Sequence, residues 1–381
     1  MAKKKEPKKK ANMLLQEALS NANKRFGDGA VRPGTDIPDM FRLRRPSGIP
    51  SLDLELMGGF PAGGPSQLIG ADGSGKTDLA WRILAQAQLN YGEAFAGAMA
   101  CIEHWPDKSQ ARFAGLQLAY SPEELDWLEV ERGEKLTKQE KNLLEEELGH
   151  MKFLPNQDGA EILLDLTAEL YASGAFQVIV VDSLGALLTE GEYEKDLEDE
   201  AKVASIANLM TRFMKKIWSA SMRMLSDGTS NETTLIIINQ YREKIGASKY
   251  EDPLRHAGGN ALKHGKLVDL FLRRGGWIKD SNKDKIGKGM TGRVLKGKAG
   301  MHEGALATWD FHFISGVDVS QSLYDMASRF SLFKRGGQKY KFWDGTEVDS
   351  KLKAKMFCLE HKEHIIAESF RLAEVPPFRV T

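Results

Sequence analysis

The sequence predicts an α/β fold on a mostly parallel, twisted sheet, and three observations carry that expectation. Apolar runs fall at 67–69, 96–102, 176–181 and 235–238, the last two rich in Val and Ile, as strands buried on both faces require. Helical patterns separate them at 78–90, 160–172 and 201–220, and strands alternating with helices favour parallel order. A glycine-rich stretch at 70–77 joins the first strand directly to the first helix.

Composition sets the bounds. A chain of 381 residues can bury a large core and divide into two or three domains. Charged residues make up 28% and hydrophobic ones 41%, which excludes a disordered chain. Lys plus Arg number 53, as do Asp plus Glu, so a nucleic-acid site must come from local charge placement. Cys101 and Cys358 have no metal-ligand spacing and fit small buried hydrophobes in a reducing compartment. No apolar run reaches transmembrane length, and the lysine-rich start lacks the apolar segment of a signal peptide. A cytoplasmic protein without membrane contact is expected.

Residues 1–10 read as a basic, solvated tail, with weak help in DNA binding as the alternative. Residues 11–46 follow as a helix and linker. Met13, Leu14, Leu15, Ala18, Leu19, Ala22 and Phe26 recur at helical spacing, and such a helix must dock on this core or on another subunit. Pro33, Pro38 and Pro46 mark an extended linker over 31–47. The main α/β domain is expected over 47–316, with a charged helical insertion at 121–149. Residues 317–381 form a small C-terminal domain.

Residues 70–77 read Gly70-Ala71-Asp72-Gly73-Ser74-Gly75-Lys76-Thr77, a complete GxxxxGKT. Its glycines let backbone N–H groups curl around phosphate oxygens, and the following helix turns its positive end to the same anion. Lys76 reaches the β- and γ-phosphates of ATP and Thr77 offers its hydroxyl to Mg²⁺. The ATP-binding set runs from Gly70 to Asp78; the bland alternative is a chance glycine turn. Asp182 ends a buried strand, where a carboxylate can hold the Mg²⁺ water shell, although many strands end in Asp as a turn starter. Glu103 also follows a strand; it either polarises an attacking water or caps a helix. Gln240 closes another strand and could sense a γ-phosphate, but pattern alone favours an ordinary turn there. The stretch 241–257 mixes Lys244, Lys249, Tyr250 and Arg255 ahead of Gly258-Gly259-Asn260. Basic residues with an interleaved aromatic suit a mobile loop that binds single-stranded DNA.

The order of these motifs resembles the RecA recombinase family. The resemblance begins at Arg25-Phe26-Gly27-Asp28-Gly29 and continues through Ser47-Gly48-Ile49-Pro50-Ser51-Leu52-Asp53 and Gly58-Gly59-Phe60-Pro61. It then takes in the phosphate loop, Glu103-His104, Val181-Asp182-Ser183, Asn239-Gln240 and Gly258-Gly259-Asn260-Ala261-Leu262-Lys263. It ends at Lys296-Gly297-Lys298 before the stretch 311–316, and covers most of residues 11–345. This implies a RecA-type P-loop ATPase core with an N-terminal polymerisation helix and a small α+β C-terminal domain. By the same resemblance Glu103 is the hydrolytic glutamate and Gln240 the γ-phosphate sensor. Lys296 and Lys298 match lysines that reach a neighbour's ATP across a filament interface, where they would act as an arginine finger does. Read without the resemblance they are solvated surface lysines.

Segments 190–203 and 246–258 match the family's two DNA-facing loops, and Lys249, Tyr250, Arg255, His256, Gly258, Gly259 and Asn260 form the expected DNA-binding set. The implied function is a DNA-dependent ATPase using ATP and Mg²⁺. It would assemble into a helical filament on single-stranded DNA and exchange strands with homologous duplex DNA in recombination and repair. Several positions depart from the pattern. Gln110, kept in the ATP-binding set, stands where many relatives carry an adenine-stacking tyrosine. The acidic run at 190–200 repels phosphates, so only part of it is expected near DNA. Asn208 replaces a usual arginine, and the 121–149 insertion lies outside the family core. These features suggest a divergent, phage-type member. Two other readings stand beside the recombinase. One is a ring-forming RecA-fold helicase motor, against which the paired lysines and the 11–26 helix argue. The other is a regulatory RecA-like ATP-binding protein without strand exchange.

Overall fold

The computed structural model describes residues 6–27, 31, 43–157, 159–186, 203–223, 225, 229–243, 254–256, 259–298, 300–375 and 379–380. It divides into two units, Met1–Asp39 and Met40–Thr381. In the first, helix α1 (Glu6–Phe26) starts at Glu6 instead of residue 11, so residues 6–10 are helical where a disordered tail was expected. Lysine is a good helix former, and Pro7 falls in the first turn, where its missing N–H leaves no bond unmade. Met13, Leu14, Leu15 and Phe26 are exposed. No helix among the described residues is long and apolar enough to cross a membrane.

The second unit opens with another correction. Residues 43–45 are not linker but a buried strand, β1 (Leu43–Arg45). It pairs antiparallel with β2 (Phe60–Pro61) and parallel with the last strand, Arg379–Val380. Between β1 and β2 lies α2 (Pro50–Glu55), whose Asp53 is buried. The Ser47 N–H and hydroxyl both donate to the Asp53 carboxylate at 2.7 Å.

β3 (Gly64–Gly70) runs into the glycine-rich loop, and α3 (Lys76–Tyr91) leaves it. β4 (Ala96–Cys101) and the short α4 (Lys108–Phe113) follow. The insertion folds as α5 (Pro122–Arg132) and α6 (Lys138–Glu145), each opened by a capping box, Ser121 with Glu124 and Thr137 with Glu140. Arg112 of α4 donates to Glu124 at 3.0 Å, which ties the insertion to the core. The chain then continues through β5 (His150–Pro155), α7 (Ala160–Ser173), β6 (Val178–Asp182), α8 (Val203–Ser221) and β7 (Thr234–Glu243).

β8 (Leu254–His256) turns back on β7, with Arg242 opposite Arg255 and Tyr241 opposite His256. Arg255 and His256 thus belong to a strand, where the sequence pattern suggests a loop. α9 (Gly259–Gly265) leads into β9 (Val268–Lys279), β10 (Lys285–Gly297), β11 (Leu306–His312) and β12 (Gly316–Val317). The sheet order is β12-β11-β10-β9-β3-β7-β6-β4-β5, with β8 beside β7. The run from β9 to β5 is parallel, and β10 to β12 extend it antiparallel. This extension carries no helix between its strands, so the β–α alternation of the sequence does not announce it.

The central strands are buried on both faces. Ile236 and Ile238 of β7 pack with Leu84 and Trp81 of α3. Leu235 and Ile237 face the other way, onto Leu163 of α7 and Phe213 of α8. Cys101 and Cys358 are buried and unpaired, as expected. A third cluster joins α10 (Val319–Arg329), β13 (Phe333–Gly336), β14 (Lys339–Phe342), β15 (Glu347–Val348), α11 (Lys351–Glu360) and α12 (Lys362–Leu372). Leu323, Phe333, Phe342, Phe357 and Ile365 are at its centre.

Asp53 supplies a pH test of the fold. Burial pushes its carboxyl up from 3.8 to about 7, outweighing the hydrogen bonds from Ser47, Gly48 and Ile49. An acid with a raised folded pKa takes up a proton on folding, so its stabilising effect is complete below about pH 4 and is lost as pH rises through about 7. Asp53→Asn removes that dependence. The melting-temperature advantage of the wild type over the variant should therefore shrink from pH 5 to pH 8. An advantage that stays constant or grows would show that Asp53 does not take up a proton on folding.

Candidate functional site

Parallel pairing sets the strand tips in one row. Gly70 of β3 lies opposite Gln240 of β7, and Cys101 of β4 opposite Asp182 of β6. In an open α/β sheet the carboxyl ends of the strands border the ligand crevice. Here they border a cleft of about 580 Å³. The phosphate loop forms its floor. A Cβ at Gly70 would lie 2.4 Å from the Leu272 carbonyl oxygen and 2.5 Å from Ser74 Oγ, so only glycine fits. Gly75 caps α3 with φ 82°, a left-handed conformation that glycine adopts without strain.

Asp72, Gly73, Gly75, Lys76, Thr77 and Asp78 line the cleft. Gly70, Ala71 and Ser74 of the expected set do not: the Gly70 and Ala71 carbonyls accept from Lys76, and Ser74 is buried. Lys76 Nζ donates to the Gly70 and Ala71 carbonyls, both at 3.0 Å. Burial lowers its pKa, against the pull of Asp72, Asp182 and Glu103. The Asp78 carboxylate holds Arg82 at 2.9 Å one turn along α3, leaving its backbone N–H at the helix start.

Glu103, Gln110, Asp182 and Gln240, four separate picks from the sequence, line the same cleft. Thr77 donates its hydroxyl to Asp182 Oδ2 at 2.9 Å. Burial raises the Asp182 pKa, with the Thr77 bond opposing and the Glu103 charge adding to the rise. Ser183 donates to Glu103 Oε2 at 3.3 Å, which fixes a carboxylate otherwise open to solvent. No group of three or more His, Cys, Asp or Glu among the described residues could hold a metal alone. One hydroxyl and one carboxylate, both hard oxygen donors, fit Mg²⁺, which keeps several waters and takes further oxygens from substrate phosphates.

The other expected residues lie elsewhere. Lys296 Nζ donates to the Lys263 and His264 carbonyls at 2.9 and 3.1 Å, at the end of α9, and Lys298 is exposed. Neither lines this chain's cleft. Of the DNA-binding set, Arg255 and His256 are in β8, and Gly259 and Asn260 open α9. Lys249, Tyr250 and Gly258 lie outside the described residues, as do 190–202 of the first expected DNA loop.

Several lining residues escaped the sequence reading. Phe113, Phe311 and Phe313 form an aromatic wall, with the Phe113 and Phe311 rings 6.2 Å apart and tilted by 66°. Gln110 sits in place of a stacking tyrosine, but Phe113 is three residues further along α4 and lines the same cleft. Phe311 lies near the end of β11 and Phe313 just beyond it, a spacing of two that is visible in the sequence. Lys288 of β10 is the second lysine of the cleft.

A glycine-rich loop between a central parallel strand and a helix, with an aspartate at the tip of the strand two places along the sheet, defines a P-loop nucleotide-binding α/β protein. The comparisons are narrower. The family model for the RecA N-terminal domain matches residues 148–318. Protein RecA of Aquifex aeolicus is 32% identical over 362 residues, covering 94% of this chain and 90% of that one. Protein RecA of Aquifex pyrophilus is 31% identical over 365 residues, covering 95% and 91%. That of Nautilia profundicola is 30% identical over 350 residues, covering 92% and 87%. This chain belongs to the RecA family, and its sheet is a RecA-type core.

If the aromatic wall holds a base, Phe113→Ala should weaken ADP binding by about 1–3 kcal/mol. Inorganic tripolyphosphate, which has no base, should bind the variant as it binds the wild type. Titration calorimetry with both ligands checks this, and equal losses for the two would remove Phe113 from the base site.

Proposed function

We propose that this chain is a DNA-dependent ATPase that assembles on single-stranded DNA and exchanges strands with homologous duplex DNA in the cytoplasm. The observation that supports this most is the convergence of Asp72, Gly73, residues 75–78, Glu103, Asp182 and Gln240 on one cleft. Their positions in sequence are far apart, and a nucleotide triphosphate is the ligand whose chemistry uses them together.

The residue roles follow from charge and reach. The loop N–H groups and the start of α3 bind the β-phosphate region, and Lys76 exchanges the Gly70 and Ala71 carbonyls for phosphate oxygens. Thr77 and Asp182 hold Mg²⁺, which neutralises phosphate charge when bound. Glu103, steadied by Ser183, orients and deprotonates the attacking water. The Gln240 amide meets the γ-phosphate and reports its loss. β7 carries Gln240 and, three residues on, ends in the pairing with β8. The nucleotide and the proposed DNA segment are therefore attached to one strand. Lys296 and Lys298 act in trans, neutralising γ-phosphate charge in a neighbour's site.

Lys76→Ala should abolish ATP hydrolysis and nucleotide-dependent binding to single-stranded DNA while far-ultraviolet circular dichroism stays native. Turnover at the wild-type rate would sink the phosphate-site assignment.

The trans lysines make a separate prediction. Hydrolysis should rise steeply with protein concentration and with DNA, and the double variant Lys296→Ala, Lys298→Ala should lose that rise. ADP affinity, measured on dilute protein, should be retained, because neither side chain lines the chain's own cleft. Full stimulation in the double variant, or lost affinity in dilute protein, counts against action in trans. Electron microscopy with DNA and a non-hydrolysable ATP analogue tests the assembly itself: a helical filament is expected, and closed rings or no assembly would exclude it.

A further inference from the structure

We propose that Lys288 is a second phosphate lysine, supplied in cis by the sheet, which leaves the Gly73 carbonyl to contact the α-phosphate of a bound adenine nucleotide. The proposal rests on the nucleotide reading of the cleft and adds to it a residue from a strand far from the phosphate loop in sequence.

Three observations carry it. Lys288 lines the cleft together with the loop residues. Its Nζ donates to the Gly73 carbonyl at 3.0 Å, so the ammonium already touches the crest of the loop. Lys76 is held in the same way, on the Gly70 and Ala71 carbonyls. In a loop built to take phosphates, a lysine parked on the loop's own carbonyl has an anion-binding position within one rotamer change.

Strand geometry explains why the side chain points inward. Met290 and Val294 of β10 are buried in the core, and Met290 reaches under Gly75 of the loop. Lys288 is two residues before Met290, on the same face by alternation. The pairing of β10 with β9 is irregular between Lys288 and Met290, but the extra residue lies in β9, so the alternation along β10 is kept. A lysine in a core-facing position is costly unless its charge has a partner. Its pKa is lowered by burial first and then by Arg274, with Asp78 opposing.

The neighbours assign the α-phosphate rather than the γ-phosphate. Lys76 feels Asp182 and Glu103, the metal and hydrolysis end of the cleft. Lys288 instead feels Asp78, at the start of α3, and lies 5.6 Å from the centre of the Phe311 ring in the aromatic wall. A nucleotide runs from base through α- and β- to γ-phosphate. A cation between the aromatic wall and the loop therefore meets the phosphate nearest the base.

The test uses the full chain at low concentration, with Lys288→Met and Lys288→Arg, and competition against a fluorescent ADP analogue. Lys288→Met should weaken AMP, ADP and ATP by a similar factor of about ten, as loss of one charge-assisted contact implies. Adenosine, which has no phosphate, should compete as it does with wild type. Lys288→Arg keeps the charge and should restore most of the affinity. Unchanged ADP affinity in Lys288→Met overturns the proposal. So does an equal loss of adenosine binding, which would make the side chain a support of the aromatic wall. A loss for ATP alone would move the contact to the γ-phosphate and reject the α-phosphate assignment. If the wild type binds no adenine nucleotide, the nucleotide reading itself has failed, an outcome distinct from these three.

Discussion

The parallel register of β3 between β7 and β9 is the constraint on which the rest of the cleft depends. Gly70 must lie beside Gln240 on one side and Leu272 on the other for the strand to end where the loop begins. A slip of one residue would turn every side chain of the strand to the opposite face. Both faces are buried, so each would lose its packing against the helices. The hydrophobic core thereby fixes the position of a polar loop. Thr77 and Asp182, 105 residues apart, meet at 2.9 Å because the strands between them are in register.

Carboxylates outnumber ammonium groups in the cleft, and that excess shapes its behaviour. Asp72, Asp78, Glu103 and Asp182 face Lys76 and Lys288. A triphosphate brought alone to four carboxylates would be repelled, which is a physical reason for a divalent cation to accompany it. The lysines meanwhile rest on backbone carbonyls, which they can exchange for phosphate oxygens. Burial lowers the Lys76 pKa and raises that of Asp182. Both shifts favour the neutral forms, and an incoming anion and cation would reverse them.

What was legible in the sequence divides by the range of the interaction. The phosphate loop is contiguous, so its glycines and Lys76 declare themselves, and the buried central strands show as apolar runs. Asp182 was readable from its strand end together with the phosphate loop, whereas Glu103 took a single role only through resemblance. The antiparallel strands β9 to β12 were not legible as an extension of the sheet, because pairing between neighbours leaves no helical period between them. Phe113 was hidden behind Gln110, since a turn of helix moves the aromatic three places from the expected position. Arg255 and His256 were read as loop because glycines and charges surround them; their pairing with β7 is a long-range fact. The first turn of α1 was missed because Glu6 and Pro7 look like breakers, although both are favourable at a helix start.

β10 shows why one strand can carry lysines with different tasks. Lys288 stands near its start, at this chain's own cleft, and Lys296 lies eight residues further on, at the end of α9. At 3.3 Å per residue these positions are roughly 26 Å apart. A lysine side chain spans only a small part of that distance, so Lys296 cannot turn back to the phosphate loop from which Lys288 is in reach. Its carbonyl partners at the end of α9 hold it outside the lining of its own chain's cleft. A role for Lys296 at a γ-phosphate therefore requires a second copy of the chain. The same strand would then bind the base-side phosphate of one nucleotide and the terminal phosphate of the next.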